Sequence, residues 1–97
     1  MKIPQHIKIG NLWYKVEDLD DEDDRAFGRS NQRHQWIKLS KNIQDDRKFE
    51  TFLHEVIHQL LDNSDYFKES EDERLIDCLS SGMFQVLKDN GFLVKDD

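Results

Sequence analysis

The chain of 97 residues has the length of one small domain, because domains usually contain about 50 to 200 residues. Charged and hydrophobic residues each make up 36% of it, so its core is small, but 10% aromatic residues argue against disorder. The net charge of −7 argues against binding to a nucleic-acid backbone or to an anionic membrane surface. The chain lacks an apolar run long enough for a signal sequence or a membrane span, which predicts a cytoplasmic protein.

Residues 6–40 predict a small β-sheet. Apolar residues alternate with polar ones on both sides of Gly10-Asn11, which indicates a β-hairpin over residues 6–16. The run 17–24 is acidic except at one position and predicts a solvated loop, because like charges repel. Residues 34–39 predict a third strand at an edge of the sheet. We therefore expect three mainly antiparallel strands.

The first predicted helix spans residues 46–62. Its apolar residues recur at intervals of three and four, the spacing of one face of an amphipathic helix. The expected core stripe consists of Phe49, Phe52, Leu53, Val56, Ile57, Leu60 and Leu61.

A second helix is predicted over residues 70–90, where another apolar stripe begins at Leu75. Ser70-x-x-Glu73 has the form of a capping box at its start, and Asn90-Gly91 suits its end. Cys78 lies beside the stripe and predicts a buried thiol. The expected fold is one α+β domain over residues 1–97, in which both helices pack on one face of the sheet.

The first helix contains the sequence His54-Glu55-Val56-Ile57-His58, an HExxH motif. Histidines four residues apart lie one turn apart on the same helix face, so both can bind one cation with bonds of about 2.1 Å. Glu55 points about 100° away from His54, the direction expected of a general base that acts on metal-bound water. Both histidines flank the apolar stripe, which predicts one Zn²⁺ site. The alternative is a pair of ordinary surface or interface histidines.

A catalytic zinc needs a third protein ligand and an open position. The metzincin pattern is excluded, because Leu61 and Ser64 stand where it requires glycine and histidine. Glu73 is the predicted third ligand, and Asp77 is predicted to accept a hydrogen bond from a ligating histidine. Glu73 as a capping-box residue and Asp77 as a solvated helix residue remain open alternatives. Substitute ligands near the uncertain start of the helix are Glu69, Glu71 and Asp72.

The HExxH helix followed by Glu73-x-x-x-Asp77 resembles the gluzincin pattern of zinc metallopeptidases. The order of three strands, HExxH helix and second helix is similar to a minimal zincin core. Residues 7–92 also resemble small phage and prophage proteins that are distant relatives of the ImmA/IrrE-type metallopeptidases. Members of that type act on phage or mobile-element repressors.

The resemblance implies a phage-derived, zinc-dependent metallopeptidase. In such an enzyme His54, His58 and Glu73 would hold one zinc ion, and Glu55 would act as general base and acid. The substrate would be a peptide or protein, with a host or phage protein as partner. By the same resemblance, the edge strand over 34–39 would hold an extended peptide by strand addition.

Two other hypotheses describe a non-catalytic protein. In the first, the zinc is structural and stabilises an interaction module that is too small to have a large core. In the second, the acidic run 17–24 mimics the phosphates of nucleic acid and binds a DNA-binding protein.

Overall fold

The computed structural model describes residues 2–20 and 27–93, which form a four-stranded mixed sheet and three helices. In chain order the elements are β1 (His6–Ile9), β2 (Leu12–Asp18), β3 (Gly28–Asn31), β4 (Trp36–Leu39), α1 (Asp45–Asn63), α2 (Phe67–Ser70) and α3 (Glu73–Asp89). The predicted α+β class is confirmed. The expected three strands and two helices are corrected to four strands and three helices among the described residues.

Strands β1 and β2 form the predicted hairpin, with Ile9 paired to Leu12 across the turn Gly10-Asn11. Gly10 has a φ of 60°, which suits the first central position of a type II′ turn. Residues with a side chain rarely adopt this backbone conformation. Ile9 and Tyr14 of this hairpin are buried in the core.

The strands lie in the order β1-β2-β4-β3, and β2 runs parallel to β4. The prediction that residues 34–39 form an edge strand is therefore wrong, because β4 lies between β2 and β3. The strand at that edge is β3, which pairs with β4 in antiparallel fashion. Its sequence, Gly28-Arg29-Ser30-Asn31, contains no apolar side chain, so no alternation of apolar residues indicated a strand there.

The acidic run begins inside the sheet. Glu17 and Asp18 are the last residues of β2, and Glu17 forms an ion pair of 3.1 Å with Lys15. Leu19 is buried and donates its backbone N–H to the carbonyl of Leu39. The predicted solvated loop is thus wrong for residues 17–19, while residues 21–24 lie outside the described part of the chain.

The molecule has three layers: the sheet, then α1, then α3. One cluster of buried side chains joins the sheet to α1; it contains Ile9, Tyr14, Ile37, Leu39 and Phe52. Within residues 2–20 and 27–93, α3 packs against α1 and α2 but against no strand. The expectation that both helices pack on the sheet is therefore wrong for the second helix.

The face of α1 that lies against the sheet differs from the expected apolar stripe. The buried residues of the helix are Phe49, Thr51, Phe52, Glu55 and Gln59. Leu60, which was expected in the core, is 49% exposed. Polar residues of α1 can face the sheet because the sheet provides hydrogen-bond partners for them. Tyr14 donates to Gln59, and Ser30 donates to Glu55.

Helix α3 begins later than predicted. Asp72 is its N-cap and accepts a hydrogen bond of 3.1 Å from the backbone N–H of Leu75, so the predicted capping box of Ser70 and Glu73 does not form. The helix ends as expected, before Gly91, whose φ is 74°. Cys78 is exposed, which corrects the predicted buried thiol. None of the helices in the described residues combines the length and apolarity that crossing a membrane requires.

Candidate metal centre

Three of the predicted ligands converge where α1 packs against the start of α3. The Nε2 atoms of His54 and His58 are 3.1 Å apart. Nε2 of His54 lies 3.1 Å from Oε2 of Glu73, and Nε2 of His58 lies 3.1 Å from Oε1 of the same carboxylate. A tetrahedral zinc with bonds of about 2.1 Å holds its ligand atoms about 3.4 Å apart. Two imidazole nitrogens and a carboxylate at this spacing could together hold a metal ion such as zinc.

The local sequence explains this convergence. His54 and His58 lie one turn apart on α1, on the flank that contacts α3. The side chain of Asp72 caps the N-terminus of α3, and Glu73 is the first residue of the helix. The side chain of Glu73 is therefore not used as the cap. The carboxylate of Glu73 is therefore available at the point where the two helices meet.

The second ring nitrogen of each histidine also has a partner. His54 Nδ1 lies 3.0 Å from Oδ1 of Asp77, and His58 Nδ1 lies 3.1 Å from the hydroxyl oxygen of Ser70. The Ser70 hydroxyl donates to the carbonyl of His58, so its lone pair is left to accept from Nδ1–H. These contacts favour the tautomers whose Nε2 lone pairs are directed toward the metal position.

The structure places Asp77 beside His54, whereas the contact of Ser70 with His58 was not predicted from the sequence. The capping-box pattern predicts a contact of Ser70 with Glu73. No sequence pattern predicts that the end of α2 lies beside His58. The substitute ligands Glu69, Glu71 and Asp72 do not belong to the group of possible ligands that the described residues form.

Glu55 lies on the side of α1 that contacts the sheet and is buried with 7% exposure. Its Oε1 accepts a hydrogen bond of 2.6 Å from the hydroxyl of Ser30 on β3. Glu55 and His54 both line one cleft of about 200 Å³. The cleft lies over α1, between the start of β3 and the side of α3, and its other lining residues are Phe27, Gly28, Arg47, Glu50, Thr51, Asp77 and Ser80.

Gly28 brings β3 close to α1. A Cβ atom at this position would lie 2.6 Å from Cγ2 of Thr51 and 3.3 Å from the carbonyl oxygen of Lys38. Atoms of a side chain do not approach so closely, so only glycine allows this distance between strand and helix. The close approach places Ser30 within reach of Glu55.

A buried chain of hydrogen bonds continues from Ser30 into the sheet. The Ser30 hydroxyl accepts from Nε2 of Gln59 at 2.9 Å, and Oε1 of Gln59 accepts from the Tyr14 hydroxyl at 2.9 Å. Burial raises the pKa of Tyr14 above its usual 10.0; the hydrogen bond with Asn63 lowers it, and the charge of Asp62 raises it. Sequence analysis missed these residues, because Tyr14 reads as an ordinary core aromatic and Gln59 as a polar helix residue.

No known protein family, curated protein or solved structure matched the chain at a significant level.

Proposed function

We propose that the protein is a zinc-dependent metallopeptidase whose ion is held by His54, His58 and Glu73. The observation that carries the proposal is the approach to 3.1 Å of the two Nε2 atoms of the HExxH motif and the carboxylate of Glu73 on α3. The position of Glu55 in the adjoining cleft supports it, because hydrolysis needs a base next to the metal.

The residues divide the chemistry among them. A bound zinc ion would supply a Lewis acid that acidifies water and stabilises negative charge on a carbonyl oxygen. Glu55 would take a proton from the attacking water and return it to the amine that leaves. Asp77 and Ser70 would keep the two histidines in the ligating orientation.

The open edge of β3, where the described residues provide no further strand, is the proposed place for the peptide, instead of the strand over 34–39. The carbonyl of Phe27, just before β3, accepts from the N–H of Ser40, just after β4, next to the pair Gly28 and Leu39. Hydrogen-bonded pairs alternate along an antiparallel ladder, so Gly28 and Ser30 direct their backbone groups toward the open edge. A peptide added there would run beside Ser30, whose side chain binds Glu55.

Metal content is the first test. Untagged protein, purified without chelator, is expected to contain about one zinc per chain by elemental mass spectrometry. His58→Ala should lose it, and His34→Ala, which changes an exposed histidine in the β3–β4 loop, should keep it. Folded wild-type protein that neither contains zinc nor takes it up on titration would overturn the proposal.

Peptide cleavage is the second test. Glu55→Gln retains an oxygen that can accept from Ser30, so fold and zinc content should persist while cleavage of a peptide library falls at least about a hundredfold. Zinc-loaded wild-type protein that cleaves no more of the library than Glu55→Gln does would contradict an enzymatic role.

A structural zinc is the second candidate, and one observation favours it. Within the described residues α3 packs on α1 and α2 but not on the sheet, and it exposes an apolar face formed by Leu75, Leu79, Met83 and Val86. An ion bound by residues of both helices would join α3 to the rest of the domain. In that case zinc removal should unfold the protein, and Glu55→Gln should have no functional effect.

A further inference from the structure

We propose that Ser30, supported by Gln59 and Tyr14, is a positioning residue that fixes the carboxylate of Glu55. The inference rests on the proposed function for its effect on catalysis, but not for its effect on Glu55. Its basis is a continuous row of contacts of 2.6, 2.9 and 2.9 Å from Glu55 through Ser30 and Gln59 to Tyr14. The two inner members, Gln59 and Tyr14, are 2% and 0% exposed.

All donors in this row point the same way. The Tyr14 hydroxyl donates to Oε1 of Gln59, the Gln59 amide donates to Ser30, and the Ser30 hydroxyl donates to Oε1 of Glu55. A row of donors that ends on a carboxylate gives a short, charge-assisted last bond, and each bond strengthens the next. Since Oε1 of Glu55 is held in this way, Oε2 would be the oxygen that takes the proton from water under the proposed function.

The inner end of the row is anchored as well. The Tyr14 hydroxyl also lies 3.3 Å from Oδ1 of Asn63, which accepts from the amide of Gln32 at 2.7 Å. The Asn63 amide donates to the carbonyl of Ile9 at 3.4 Å. Glu55, Gln59 and Asn63 occupy three successive turns of α1, so the helix is hydrogen-bonded to the sheet along one line.

Apolar side chains would hold α1 on the sheet without a need for matched partners. Buried polar groups, in contrast, contribute little net stability and are costly when unpaired, but they fix orientation. No buried side-chain nitrogen or oxygen in the described residues lacks a hydrogen bond. The arrangement therefore favours one rotamer of Glu55, in which Oε1 is held by Ser30.

The test compares Ser30→Ala and Ser30→Thr with Ser40→Ala, which removes a hydroxyl just after β4 that accepts from the backbone N–H of Asn42 and not from Glu55. Side-chain ¹³C relaxation by NMR should show Glu55 ordered in wild type, mobile in Ser30→Ala and ordered again in Ser30→Thr. On a peptide that wild type cleaves, Ser30→Ala should lower kcat about tenfold to a hundredfold, with unchanged KM and zinc content. Ser30→Thr should recover most of the loss, and Ser40→Ala should match wild type.

Two results would overturn the inference. The first is a Glu55 side chain that is as ordered in Ser30→Ala as in wild type. The second is a Ser30→Ala effect on KM alone, which would make Ser30 a substrate contact. If wild type cleaves no peptide, the proposed function fails, but the relaxation measurement still decides whether Ser30 fixes Glu55.

Discussion

The hydroxyl group of Ser70 contacts both the side chain and the backbone of His58, at 3.1 Å from Nδ1 and 3.3 Å from the carbonyl oxygen. Ser70 is buried at the end of the short helix α2. The contact therefore connects the segment between the two long helices to the orientation of one proposed metal ligand.

We predict that Ser70→Ala weakens zinc binding about tenfold to a hundredfold, because His58 loses the partner that fixes its tautomer and ring orientation. The affinity is measured by competition with a chromophoric chelator. Ser64→Ala, at an exposed position just after α1, should leave the affinity unchanged. Equal affinities of Ser70→Ala and wild type would show that the hydroxyl does not orient the ligand.

Glu73→Gln should reduce zinc content more strongly than Ser70→Ala does, because a neutral amide replaces the carboxylate ligand. The matched control is Glu71→Gln, which removes an exposed charge outside the group of possible ligands. Elemental mass spectrometry after dialysis against a weak chelator measures both variants. If Glu73→Gln retained zinc and Glu71→Gln lost it, the third ligand would be Glu71 and not Glu73.

The candidate ligands could be located from the sequence because their spacing is local. His54 and His58 lie in one helix, and the position of Glu73 needs only the packing of the next helix against it. Helical periodicity describes both relationships. The same periodicity also predicts the ends of α1 to within one residue, because the predicted range is 46–62 and the helix spans Asp45–Asn63.

The remaining features depend on contacts between residues far apart in the chain. Strand β3 has no alternation of apolar residues that would predict it. It forms by antiparallel pairing with β4, a contact that no local sequence pattern shows. Ser30 and Glu55 are 25 positions apart, and Tyr14 and Gln59 are 45 apart. Apolar periodicity assigns a helix its buried face only when that face is apolar, and the sheet-facing side of α1 includes Glu55 and Gln59.

Gly28→Ala should destabilise the protein by about 1–3 kcal/mol, because the new methyl group would lie 2.6 Å from Cγ2 of Thr51. Denaturant unfolding measures the change. The double variant Gly28→Ala/Thr51→Ser removes the clashing methyl group but keeps a hydroxyl that can bond the Arg47 carbonyl, so it should recover part of the loss.

Gly82→Ala is the matched control for Gly28→Ala. Gly82 lies within α3, and nothing lies within 4 Å of a Cβ atom built on it. Alanine is favoured over glycine in a helix by about 1 kcal/mol, so this variant should be as stable as wild type or more stable. Destabilisation of both variants by the same amount would contradict the argument from close approach.

Tyr14→Phe should cost about 1–3 kcal/mol at neutral pH, because the buried Oε1 of Gln59 loses its donor. The variant should also change the alkaline pH dependence of stability. Burial raises the pKa of Tyr14 above 10.0 in the folded protein, so the unfolded chain releases this proton at lower pH. Wild-type stability should therefore decrease as pH rises from about 10 through the folded-state pKa, and Tyr14→Phe should lack this contribution.

Denaturant unfolding between pH 8 and about 11.5 measures this difference in pH dependence. Lys88, whose pKa is raised by its bond and ion pair with Asp46, adds a decrease in the same range to every variant. Comparison of Tyr14→Phe with wild type removes that shared contribution. Tyr66→Phe alters an exposed tyrosine and should retain the wild-type decrease. Parallel pH profiles for wild type and Tyr14→Phe would mean that the hydroxyl is not buried among Gln59 and Asn63 in solution.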